Sequence, residues 1–61
     1  MTEALKNWLK NEKEKGTLVV CRATKDGEWK WFCRLVGKTK AAISYNDDLD
    51  AAMCNALHEV T

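Results

Sequence analysis

Apolar positions along the chain follow two different periods, and the switches between them mark out the elements. Leu5, Trp8 and Leu9 recur at helical spacing behind Thr2, which can cap a helix, and Glu3, an acid at the positive end of its dipole. Lys10, Lys13 and Lys15 crowd the far end, where cations suit the dipole, and Gly16 fits a left-handed stop. A period of two then takes over. Residues 17–24 (TLVVCRAT) and 28–36 (EWKWFCRLV) are rich in β-branched and aromatic side chains and read as strands. Gly37-Lys38-Thr39 makes a turn, and residues 40–45 a third strand with Ala41, Ile43 and Tyr45 on one side. Asn46-Asp47-Asp48 then supplies a cap and two first-turn acids for a last helix. Its Leu49, Ala52, Met53, Ala56, Leu57 and Val60 form one apolar stripe. The order α-β-β-β-α predicts an α+β fold, a three-stranded antiparallel sheet with two helices packed on it, in a single domain spanning 1–61.

Two registers compete at the first hairpin. A two-residue loop of Asp26-Gly27 pairs Lys25 with Glu28 and puts Arg22 and Thr24 on the face of Trp29 and Trp31. A three-residue loop, with Gly27 as the left-handed bulge residue, pairs Thr24 with Glu28 instead. Val19, Cys21 and Ala23 then share an uncharged face with Trp29, Trp31, Cys33 and Leu35. A slip of one residue exchanges the faces, and the cleaner separation of charge favours the three-residue loop. The opposite face then carries Phe32 between Lys30 and Arg34, with Val20 opposite, Arg22 nearby, and Leu18 and Val36 extending it.

Composition sharpens this picture. In 61 residues, 46% are hydrophobic and 31% charged, a globular balance, and proline is absent. A chain this short buries only about 60% of its unfolded surface, so tight packing or self-association has to help. Three tryptophans point to packing. Three cysteines cannot all pair within the chain, which suits a reducing cytoplasm. The chain has neither an apolar run long enough to span a membrane nor a signal-peptide core, so the expectation is a cytoplasmic protein with no membrane partner. Charge is uneven: residues 1–45 carry all ten Lys and Arg against five acids, whereas residues 46–61 carry four acids and no Lys or Arg.

Chemistry-bearing constellations are sparse. Cys54 and His58 lie four apart on the last helix, but a zinc site needs a third protein ligand, and there is no CxxC and no second histidine. Cys21 and Cys33 read as small buried hydrophobes. Asp47, Asp48 and Asp50 suit a helix start better than acid–base work. With no triad, phosphate loop or dinucleotide fingerprint, the chain is expected to be no enzyme and to use no cofactor or metal. The remaining feature is the basic, aromatic sheet face of Arg22, Lys30, Phe32 and Arg34. A mixture of this kind can form a protein interface. It can equally stack bases while meeting phosphates, unless one of the two helices covers it.

The element order resembles a double-stranded RNA-binding domain. That family grips phosphate with lysines at the start of its last helix, where this chain has Asn46-Asp47-Asp48-Leu49-Asp50, so the resemblance stops at topology. The strand with Trp31 and Cys33, the following turn and strand, and the run Asp48-Leu49-Asp50-Ala51-Ala52-Met53-Cys54-Asn55-Ala56-Leu57 are similar to the small phage proteins of the phage ABA-sandwich domain. The similarity covers residues 31–60. It implies a phage or prophage accessory protein with no established catalysis, in a class that acts by occupying a surface on a host protein. The expected activity is therefore binding to a host macromolecule so as to inhibit or redirect it, with Arg22, Lys30, Phe32 and Arg34 as partner-binding anchors, and with a homodimer also in view. Two alternatives stay open: nucleic-acid binding through the same face, and sequestration of an anionic nucleotide between protomers.

Overall fold

The structure, a computed structural model, describes residues 2–12 and 16–61. Helix α1 (Thr2–Glu12) is followed by strands β1 (Thr17–Lys25), β2 (Glu28–Val36) and β3 (Ala41–Asn46) and by helix α2 (Leu49–Val60). The strands form one antiparallel sheet in the order β1-β2-β3. This is the α+β arrangement that the periodicity predicts. Thr2 is the first helical residue of α1 and not its cap, and the expected basic end at Lys13 and Lys15, with the turn into Gly16, lies outside the described residues.

The first hairpin corrects the sequence reading. Lys25 pairs with Glu28, so the loop is the two residues Asp26 and Gly27, with φ of 54° and 80°. Both lie in the left-handed region, as a type I′ turn requires and as the twist of a two-residue hairpin favours. Arg22, Val20 and Leu18 therefore share a face with Trp31, Cys33 and Leu35, while Val19, Cys21 and Ala23 lie on the other. Segregation of charge failed as a criterion because the hairpin projects past β3, which pairs β2 only from Trp31 to Val36. Beyond that point the face is not core. Trp29 is 64% exposed there, and Arg22 lays its guanidinium 4.9 Å from the Trp31 ring centroid. A cation stacked on indole at a wet edge needs no desolvated partner.

Both helices pack on that one face. Leu5 and Trp8 of α1 join Ala52, Ala56 and Val60 of α2 over Cys33, Leu35 and Ala42, with Val20, Trp31, Met53 and Leu57 around them. Leu35 and Cys33 are fully enclosed. The alanines at 52 and 56 let α2 lie close on β3 and β2. The described residues thus form two layers, and none of their helices covers the other side of the sheet.

The start of α2 differs in detail from expectation. Asp48 is the N-cap, and its Oδ2 accepts a hydrogen bond from the Ala51 N–H at 2.9 Å. Asn46 instead accepts from the Asp48 N–H at 3.0 Å, folding the link from β3 into the helix. Of the predicted apolar stripe, Ala52, Ala56 and Val60 are buried in the core and Met53 and Leu57 pack against it. No described helix is long and apolar enough to cross a membrane.

The turn geometry has a direct test. Replacing Asp26 by Val, a β-branched residue at positive φ, should cost about 1–2 kcal/mol in urea unfolding. Asp26→Asn, which suits a type I′ turn, should leave stability equal or slightly raised. A three-residue loop would hold residue 26 at negative φ and remove most of the penalty of the Val variant.

Candidate functional site: the open sheet face

With both helices on one side, the alternation of β1, β2 and β3 leaves a second face bare. Rows of side chains cross it. Val19, Arg34 and Ile43 form one row, and Cys21, Phe32 and Tyr45 the next. Val36 and Ala41 close one end, and Ala23 and Lys30 lead to the other. Val19 and Ile43, within the two outer strands, are 40% and 59% exposed, high values for branched apolar side chains. Phe32 and Tyr45 meet as a tilted pair with centroids 5.2 Å apart and are each half-buried by their neighbours. This is an apolar and aromatic surface interrupted by a few charges.

Those charges are disposed unequally. Lys30 reaches Asp47 Oδ1 at 3.0 Å and Glu28 Oε1 at 3.5 Å. The hydrogen bond to Asp47 holds its ammonium above the usual lysine range, against a smaller opposing pull from burial. Lys25 reaches across the sheet to place Nζ 4.6 Å from the Tyr45 ring centroid. Arg34 differs: it is exposed between Val19 and Ile43 and meets no carboxylate among the described residues.

Of the four side chains singled out from the sequence, the structure brings Lys30, Phe32 and Arg34 together on the open face and puts Arg22 on the other, against Trp31. The register error accounts for this difference. It also concealed Val19 and Cys21, which the three-residue loop would have buried. Tyr45 and Ile43 were placed correctly on a common side, but only the pairing of β3 with β2 shows that they join Phe32 and Arg34. Cys21 is exposed, against expectation, and Cys33 is buried as expected.

Elsewhere, a shallow groove of about 550 Å³ runs between β3 and α2, lined by Ala42, Ser44, Asn55, His58 and Glu59 among others. Cys54 and His58 are both exposed, and among the described residues no three His, Cys, Asp or Glu side chains converge as a metal site.

The thiols report these placements. Burial pushes the Cys33 thiol above its usual range, while Cys21 and Cys54 stand in solvent. A thiol-exchange reagent at neutral pH should therefore titrate two cysteines at once and the third only as the protein unfolds. With Cys21→Ser a single fast thiol should remain. Under the three-residue register Cys21 would be slow, and that substitution would leave the fast phase unchanged.

No family model, no curated protein and no solved structure matches the chain.

Proposed function

We propose that this chain is a non-catalytic binding protein that docks its open sheet face on another protein and blocks or redirects the surface it covers. The observation that carries this reading is Arg34, unmated and flanked by exposed Val19 and Ile43, next to the Phe32–Tyr45 pair. Aromatic side chains and arginine are the residue types that most often dominate protein interfaces, and they do so when ringed by groups that exclude water. A guanidinium sealed in such a patch needs a carboxylate opposite, because an unpaired buried charge is costly. The fitting partner is thus a polypeptide surface with an apolar patch and an acid at its centre.

The same charges weigh against nucleic acid. Lys30 is occupied by two carboxylates and Lys25 lies over a ring, so the face presents one free cation among the described residues and two acids at its margin. A phosphate backbone would be gripped weakly and repelled at Asp47. Sequestration of a nucleotide meets the same difficulty. The phage accessory role suggested by the last strands and helix belongs with protein binding, since occlusion of a host protein requires only a surface of this kind. In that setting the protein works in the host-cell cytoplasm and carries out no chemistry.

Phe32→Ala with Arg34→Ala should weaken binding to a partner captured from host lysate by roughly 100-fold or more, with circular dichroism unchanged. Arg22→Ala, on the opposite face, should leave that affinity within about threefold. Equal capture by the double variant would refute the assignment. Affinity that falls steeply and linearly with log salt, together with a mobility shift of RNA or DNA, would favour nucleic acid.

A further inference from the structure

The free edge of β1 points to a specific second contact. We infer that β1 pairs antiparallel with β1 of a second copy, joining two three-stranded sheets into one of six strands. This goes beyond the face-binding reading and does not depend on it.

An edge strand presents a row of unpaired N–H and C=O groups, and proteins usually protect such rows with proline, bulges, charged side chains or a covering element. Of these protections β1 has only charged side chains, Arg22 and Lys25, and neither proline, bulge nor cover among the described residues. It runs nine residues without proline, pairs with β2 without a bulge, and is exposed or half-exposed throughout. β3, the other edge, is short and has Ala42 and Ser44 buried. The two cations of β1 are drawn back from its edge, Arg22 onto Trp31 on one face and Lys25 over Tyr45 on the other. Leu18 and Val19 stay exposed beside the vacant edge. The closing pair of a two-residue hairpin is hydrogen-bonded, so by alternation Leu18, Val20, Arg22 and Thr24 turn their backbone groups outward.

A second copy fits because β1 complements itself. Cys21 is its midpoint, so full two-fold overlap sets Cys21 against Cys21, Val19 against Ala23, Val20 against Arg22 and Thr17 against Lys25. No like charges are opposed. Leu18 and Val20 continue the core face across the junction, which adds burial to a chain too short to bury much alone. The two Cys21 residues form a non-hydrogen-bonded pair, whose Cα atoms lie about 4.5 Å apart in such ladders, within disulfide reach.

The test uses Cys54→Ser, which leaves Cys21 as the one exposed thiol among the described residues. This variant should sediment as a dimer under reducing conditions. Diamide, accepting the two hydrogens of two Cys21 thiols, should convert it to a covalent dimer that reductant reverses, and adding Cys21→Ser should abolish the cross-link. Val19→Lys with Ala23→Lys opposes lysines twice across the junction and should weaken the dimer about tenfold or more. Val19→Lys with Ala23→Glu sets opposite charges in the same places and should restore it. A monomer at high concentration, a dimer that diamide fails to lock, or equal dimerisation of the two charge variants would overturn the pairing. Phe32→Ala with Arg34→Ala should dimerise normally, so loss of the dimer there would instead place the second copy on the open face.

Discussion

A two-residue turn decides which surface this protein shows. Asp26 and Gly27 both take positive φ, and that choice fixes Lys25 opposite Glu28 and sends every side chain of β1 to one side or the other. Two helices and three strands can then close one core, around Leu35 and Cys33, and among the described residues no element covers the back of the sheet. A strand buried on one side only is ordinarily polar on the other. Here the back holds Val19, Phe32, Ile43 and Tyr45, so the fold leaves apolar area exposed that its own chain does not use.

Most of the charge bordering that area is tied down. Lys30 would place an ammonium beside the aromatic pair, and Asp47 and Glu28 tie it down at the margin. Lys25 lies over the ring of Tyr45. Surface pairs of this kind add little stability, about 0–1 kcal/mol, so their consequence lies in the potential they leave behind. What remains on this face, among the described residues, is the uncommitted guanidinium of Arg34 in an apolar surround. Under the proposed binding role, such a site would discriminate among partners more by requiring a carboxylate than by general stickiness.

Much of the fold was legible because its signals are local. The period of 3.6 in α2, the runs of β-branched residues and the Asp-Gly turn each depend on a few neighbouring positions. The register was not legible. Both loops satisfy local rules, and the deciding fact is that β3 stops at Asn46 while the hairpin continues, so that Arg22 and Trp29 sit beyond the core. Treating a full strand face as buried made Arg22 look misplaced there. Phe32, Lys30 and Arg34 were identified together because they alternate on one strand and share a face in any register. Val19 and Cys21 were missed because their face depends on the pairing with β2.

Edge and face make different demands on a partner, and the two proposed contacts would both draw on β1. Pairing along the edge is main-chain recognition, indifferent to most side chains, and needs only that nothing obstruct it. The face selects by side chains. Joining two copies through β1 would leave both faces uncovered and set them on the same side of a continuous sheet, because a two-fold axis normal to the sheet preserves its sides. Two Arg34 groups and two Phe32–Tyr45 pairs would then share one surface. A partner with a repeated or extended patch could engage both at once, and the second engagement would be intramolecular, raising apparent affinity without any new type of contact. For a chain of 61 residues, one strand edge would thus double the open face that its core leaves free.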